Sequence, residues 1–344
     1  MPPDVPPSLI RAEGLSREFE LPGGGIFSRK RRLEAVSEVS FSIGRQEVLG
    51  LVGESGSGKT TIGRMVMRLL PPTRGRILLD GVDLTSLSGR ALRAQRRRFQ
   101  MVFQDPYASL NPRMRVREIV EEPLVVHGID PDAGSRRDRV ARLLERVGLS
   151  SRDMERFPRE FSGGGRQRIG IARAIACGPE LLVADEPIAS LDLSMGAQII
   201  NLFSSLVDSE AMSLLFISHD IPMVRYLSDR VAVLYRGKIV ESGPAEAVLD
   251  DPQHPYTRLL AEGRLPESDG ASSPGAEGEP SGLCAFLPRC DRALPECRLS
   301  PPPRLSRGEV REVLCHLPKG ESSWSPVHLT TQGSPSHVPA TPSR

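Results

Sequence analysis

Short, wholly apolar runs alternate along the chain with stretches whose apolar residues recur every three or four positions. Val48–Val52 (VLGLV) precedes residues 60–70, Leu181–Asp185 (LLVAD) precedes residues 197–207, and Ser213–Ser218 (SLLFIS) precedes residues 222–227. Runs of that length predict strands buried on both faces, and the periodic stretches between them predict helices. The alternation predicts an α/β fold, a parallel sheet covered by helices. Residues 9–21 and 76–79 are β-rich without helical partners and predict a smaller antiparallel addition. From about 116 to 178 the rhythm is helical throughout, with Arg139, Val140, Leu143, Leu144 and Val147 at 3.6-residue spacing, so a helical subdomain interrupts the sheet. No internal repeat is visible.

The 344 residues exceed what one core ordinarily holds, about 250 to 300, which predicts a main domain with a small appendage. Composition divides them. Residues 1–8 and about 319–344 are rich in Pro, Ser and Thr and are expected to be disordered, and residues 266–282 (PESDGASSPGAEGEPSG) read as a linker. The expected organisation is therefore a main domain over 9–265 and a Cys-bearing module over 283–318. No apolar run approaches the roughly 18 to 20 residues that cross a bilayer. The start, MPPDVPPS, lacks the basic and apolar parts of a secretory signal, which predicts a cytoplasmic compartment with reduced thiols. With 45 basic and 43 acidic residues the net charge is +2, and no nucleic-acid partner is expected from long-range attraction. The basic runs at 29–32 and 96–98 read as solvated loops.

Chemistry concentrates at the ends of the predicted strands. The string Gly53-Glu54-Ser55-Gly56-Ser57-Gly58-Lys59-Thr60, followed by Thr61, leaves a strand and opens a helix. In that context its glycines let backbone N–H groups wrap phosphate oxygens, Lys59 reaches the β- and γ-phosphates, and the Thr60 hydroxyl suits Mg²⁺. Asp185 and Glu186 close a second buried strand, where open parallel sheets bind ligands. Asp185 fits contact with Mg²⁺ and Glu186 fits polarising an attacking water. His219 closes a third strand, and adjacent strands deliver their ends to one cleft. Ser162-Gly163-Gly164-Gly165 opens a helix with unhindered N–H donors, a second anion-binding feature. With one phosphate loop and one such helix start per chain, two chains placed head to tail would bring each loop to the other chain's helix start.

The phosphate loop, Gln104, FSGGGRQR at 161–168, the acidic strand, Leu191-Asp192 and His219, in that order, resemble the ATP-binding-cassette ATPases over residues 9 to 263. That resemblance implies a P-loop NTPase (RecA-like) core, an antiparallel β subdomain, an α-helical subdomain and ATP hydrolysis with Mg²⁺. It implies roles too. Phe19 stacks on adenine, Gln104 senses Mg²⁺ and contacts the membrane partner, residues 162–165 cap ATP on the opposite subunit, Asp192 lies at the junction, and His219 contacts the γ-phosphate. Mg²⁺ is then shared by Thr60, Gln104 and Asp185, with Lys59, Gln104, Glu186 and His219 catalytic. Gly165 departs from the family, which usually carries Gln there, and Ala189-Ser190-Leu191-Asp192 stands for its usual Ser-Ala-Leu-Asp. The capping half is therefore expected to be weakened while the hydrolytic half is complete.

VGESGSGKTT (52–61), FQDPYASLNPR (103–113) and DPQHPYTRLL (251–260) resemble the ATPase subunits of oligopeptide and dipeptide permeases. The resemblance implies a peripheral protein on the cytoplasmic face of the cell membrane. Its implied partners are a second, related ATPase subunit in a heterodimer, two membrane-spanning permease subunits and an extracytoplasmic solute-binding protein. Peptide is the implied cargo, with nickel, glutathione and oligosaccharide as alternatives, and a soluble cassette acting on ribosomes or DNA or a binding-only regulator as rival classes. The tail holds Cys284, Cys290, Cys297 and Cys315, spaced C-x5-C-x6-C-x17-C. In a reducing compartment these suggest a [4Fe–4S] cluster, zinc or plain packed thiols. Cys177 reads as packing.

Overall fold

A computed structural model describes residues 8–21, 31–264, 283–308, 311–316 and 325–326. The first half contains β1 (Ser8–Leu21), β2 (Arg31–Gly44), β3 (Val48–Val52), α1 (Lys59–Val66), β4 (Arg74–Leu79), β5 (Val82–Asp83), α2 (Gly89–Arg96) and β6 (Phe99–Val102). Helices follow: α3 (Pro106–Ser109), α4 (Val116–His127), α5 (Ala133–Arg146) and α6 (Gly163–Ile175). The alternation then resumes with β7 (Leu181–Asp185), α7 (Leu193–Glu210), β8 (Ser213–Ser218), α8 (Ile221–Leu227), β9 (Arg230–Tyr235) and β10 (Lys238–Pro244). After them come α9 (Ala245–Asp250), α10 (Pro255–Ala261), β11 (Arg304–Arg307), β12 (Arg311–Leu314) and β13 (Ser325–Pro326).

Among the described residues the strands form two sheets. The larger has the order β13-β11-β12-β10-β9-β3-β8-β7-β6, and β9, β3, β8, β7 and β6 are parallel neighbours. The smaller, β2-β1-β4-β5, is antiparallel. Two-residue strand periodicity explains why the central strands are apolar throughout. In β3, Val48 and Val52 enter one core with α6, α7 and α8, while Leu49 and Leu51 enter another with β1, β2 and α1. A polar side chain at any of these positions would be buried on one face or the other. The helices α4, α5 and α6, which fall between β6 and β7 in chain order, pack on one another as a helical layer.

The chain's end is joined to this core rather than set beside it. β12 pairs antiparallel with β10, Glu241 opposite Val313 and Ser242 opposite Glu312, which covers a sheet edge that would otherwise present unpaired backbone groups. Glu241, fully buried, takes hydrogen bonds from the Gln253 and His254 amides at 3.0 and 2.9 Å and from Arg311 at 3.0 Å. Burial pushes its carboxyl pKa up and those donors oppose the shift. The expected linker, 266–282, lies outside the described residues, as does most of the two ends expected to be disordered. Ser8 opens β1, and Ser325–Pro326 pair with β11.

Candidate active site

Adjacent parallel strands deliver the candidate residues to one end of the sheet. Val52 lies opposite Ser218, Asp185 opposite Ile217, and Ala184 opposite Val102, so β3, β8, β7 and β6 finish nearly level. The phosphate loop leaves β3, His219 follows β8, Asp185 ends β7, and Gln104 lies two residues beyond β6.

The loop's shape requires glycine at two close approaches. Gly53 has φ +154° and Gly58 has φ +108°, and a Cβ would stand 2.2 Å from the Leu234 carbonyl oxygen at the first and 2.7 Å from that of Ala35 at the second. Gly58 caps α1 without any side-chain acceptor, which leaves the first-turn amides of α1 unsatisfied within the helix and open to an anion. Ser57 Oγ is buried with no hydrogen-bond partner. Lys59 is 4% exposed, and its Nζ donates to the carbonyls of Gly53 and Glu54 at 2.8 and 2.9 Å. Burial lowers the Lys59 pKa, opposed by the carboxylates of Glu186, Asp185 and Glu54. A buried cation hydrogen-bonded to carbonyls, beside unsatisfied amides and an orphaned hydroxyl, fits a polyphosphate.

Glu186 is the junction of the polar cluster. It accepts from Gln104 Nε2 at 3.0 Å, lies 3.8 Å from Lys59 Nζ and 3.5 Å from His219 Nδ1, and its side chain is 14% exposed. Its φ of +44° puts a non-glycine residue in the left-handed region, a strain of order 1 to 3 kcal/mol of the kind found at functional sites. Thr60 Oγ1 donates to Asp185 Oδ1 at 3.0 Å. Asp185 is buried, and that burial raises its pKa while the Thr60 bond opposes the rise. Adjacent hydroxyl and carboxylate oxygens, one of them a buried anion, are the hard donors that suit Mg²⁺.

Residues 162–165 belong to a different surface. Ser162 is exposed and caps α6, its Oγ accepting from Gly165 N at 3.2 Å. Asp192, also exposed, caps α7 by accepting from Met195 N at 3.0 Å. Gly163 approaches Leu191 and Gly164 approaches Met195, so the helix start and the Asp192 turn form one patch. Gly165 is filled locally, since a Cβ there would lie 3.1 Å from the Phe161 ring. Phe19 is half-buried on β1, paired with Leu33 and covered by the Arg17 guanidinium 4.9 Å from its ring centre.

Cys284, Cys290, Cys297 and Cys315 line one cavity of about 20 Å³ with His254, Phe286 and His316. That volume holds about one water molecule. Among the described residues no group of three or more His, Cys, Asp or Glu is arranged to hold a metal ion. Burial raises the Cys284 and Cys290 thiol pKa values, favouring neutral thiols. The thiols converge, but a cluster does not fit the cavity as it stands.

Two residues that touch the loop were given no site role by the sequence. Tyr256, in the DPQHPYTRLL string, holds the loop through its hydroxyl, which accepts from Glu54 N at 2.8 Å. Arg289 pairs with the Glu54 carboxylate, and nothing in its local sequence marks it.

Fold and strand-end site together define an α/β ATPase of the P-loop class. The ABC transporter family profile matches residues 36–189, and the profile for the oligopeptide/dipeptide transporter C-terminal region matches residues 240–297. A protein of Brucella abortus (strain 2308) named for peptide import and ATP binding is 50% identical over 320 residues, spanning 90% of this chain and 94% of the relative. One from Sinorhizobium fredii (strain NBRC 101917 / NGR234), named for peptide ABC transport and ATP binding, is 41% identical over 343 residues and 96% of each chain. The dimeric post-hydrolysis structure of the ATP-binding cassette MJ0796, bound to ADP and Pi, superposes with a TM-score of 0.62 at 27% identity, covering 69% of this chain and 98% of that one. The structure of cbiO1 from Clostridium perfringens, part of the ABC transporter complex cbiONQ, gives 0.61 at 25% identity, covering 71% and 91%. The chain belongs to the ABC transporter family of ATP-binding proteins, with the C-terminal region of its oligopeptide/dipeptide branch. No helix among the described residues is long and apolar enough to cross a membrane.

Proposed function

We propose that this ABC ATPase is the ATP-hydrolysing subunit of a peptide importer, peripheral to the cytoplasmic face of the membrane. It works with two membrane-spanning subunits, a solute-binding protein and a second, related ATPase subunit. The names of its relatives and the oligopeptide/dipeptide C-terminal region support peptide as cargo. The observation that carries the hydrolytic reading is the convergence of Lys59, Gln104 and His219 on Glu186 beside the Thr60–Asp185 pair.

In this reading the amides of residues 53–61 and the Lys59 ammonium grip the phosphates, and Phe19 packs on the adenine. Thr60, Asp185 and Gln104 would hold Mg²⁺, which when bound neutralises charge on the phosphate oxygens. Glu186 orients the attacking water and accepts its developing proton, and His219 donates to the γ-phosphate. Residues 162–165 cap ATP held by the partner ATPase, the Gly163 and Gly164 amides facing it while that of Gly165 is held by Ser162 Oγ, with Asp192 at the contact, so that ATP joins the two subunits and hydrolysis parts them. Iron content of the purified chain tests the [4Fe–4S] reading of Cys284, Cys290, Cys297 and Cys315, whose cavity as it stands does not fit a cluster. Glu186→Gln in the assembled transporter tests the reading. The expected result is retained ATP with peptide uptake abolished; unchanged uptake would overturn it.

A further inference from the structure

Glu54, the second residue of the phosphate loop, is held from two directions. Its amide donates to the Tyr256 hydroxyl at 2.8 Å, and its carboxylate takes both arms of the Arg289 guanidinium, at 2.8 and 3.0 Å. Arg289 lies 235 residues further along, in the Cys-bearing segment. Phe286, 1% exposed, fixes that segment, meeting the Tyr235 ring edge-on at 5.3 Å and the Tyr256 ring at 5.6 Å. The guanidinium lies 5.8 Å from the Phe286 ring centre and 5.9 Å from that of Tyr235. A two-armed pair seated on aromatic rings fixes orientation as well as charge. The Glu54 hydrogen bonds hold the Arg289 pKa above its ordinary value.

The charge on Glu54 needs such a partner. Every other feature of the loop favours an anion, whereas an unpaired carboxylate on it would repel the triphosphate. A neutralised Glu54 removes that repulsion, and a tethered one keeps the loop in the shape that aims its amides inward, so that little ordering remains for ATP binding to supply.

We propose that Arg289 is a positioning residue for nucleotide binding, acting through Glu54 so that the C-terminal segment sets the chain's affinity for ATP. The inference rests on the proposed placement of ATP at residues 53–61. It predicts a particular pattern of variants. Arg289→Ala raises the KM for ATP about tenfold, a modest value because both side chains are a quarter exposed, 27% and 25%, and changes kcat much less. Arg289→Lys restores part of the loss by returning charge without the two-armed geometry. Adding Glu54→Gln to Arg289→Ala brings KM back toward the wild-type value, because the uncompensated charge has gone.

The test is steady-state ATP turnover by the full-length chain in its transporter assembly, with MgATP titration of each variant by calorimetry. Lys59→Ala serves as the control for ATP placement. A raised KM for Arg289→Ala that is relieved in the double variant supports the inference. Wild-type affinity in Arg289→Ala while Lys59→Ala has lost binding overturns it, as does a double variant worse than Arg289→Ala. Undiminished binding by Lys59→Ala is the separate result that defeats the placement of ATP itself.

Discussion

Lys59, Thr60, Gln104, Asp185, Glu186 and His219 hold one another through hydrogen bonds and ion pairs, whereas Ser162 Oγ bonds only the amide of Gly165 in its own helix. Lys59 and Asp185 are buried, at 4% and 3% exposure, and Thr60 and Glu186 are partly buried, with Gln104 and His219 at the exposed rim; Ser162 and Asp192 are exposed and join no bond of that cluster among the described residues. One group is preorganised by contacts across the sheet end, and the other is a helix start capped by its own serine. The difference teaches that, on the proposed function, hydrolytic and capping competence should be separable, since one group is joined by internal contacts and the other makes none with it.

Variants of the two halves should accordingly fail in different ways. Glu186→Gln gives the largest effect, lowering turnover by about 10² to 10⁴-fold while ATP stays bound, since only the group that handles the water is lost; single-turnover hydrolysis in the assembly measures it. Ser162→Arg fills the outward helix start, and it should weaken ATP-driven pairing of the subunits about tenfold more than it weakens ATP binding by the single chain. Sedimentation with and without MgATP separates the two, and equal losses would show that the halves are not separable.

A third variant probes what supports the loop from behind. His254 is almost fully buried, its Nδ1 accepts from Tyr256 N at 3.1 Å, and burial pushes its pKa from 6.5 down to about 3. Its folded pKa is depressed, so the stability present above 6.5 is lost as the pH falls from there toward about 3, where the unfolded chain takes up the proton first. The expected slope is up to about 1.4 kcal/mol per pH unit from this group. His254→Asn keeps a capping acceptor without titrating, and thermal unfolding between pH 6 and pH 4 should show the shallower slope. Gly165→Ala is the smallest change. Helix propensity gains about 1 kcal/mol and the 3.1 Å approach to Phe161 offsets it, so the melting temperature should stay within a few degrees.

Much of the hydrolytic half was legible because its signals are local. A buried apolar run, a glycine-rich turn and a helix start in sequence specify the loop from Gly53 to Thr60, and LLVAD announces both a central strand and its terminal acids. Other parts depend on distant pairing. β2 carries scattered polar residues and a positive φ at Glu38, which blur its alternation, and β6 is four residues long behind an arginine run. The joining of β12 to β10 was hidden because it is a matter of which edge is free, and a composition shift read there as a linker points to separation instead. The Arg289–Glu54 contact has no sequence signal at all, since neither residue type is unusual at its position and only the fold brings them together.

The account depends on the phosphate loop holding ATP for the residues around Glu186. Its most direct test is ATP turnover by the transporter assembled with the Lys59→Ala chain beside a partner ATPase whose own phosphate loop is disabled. A fall of at least about a hundredfold relative to the same assembly with Lys59 intact is the predicted result; turnover equal to that assembly would contradict the account.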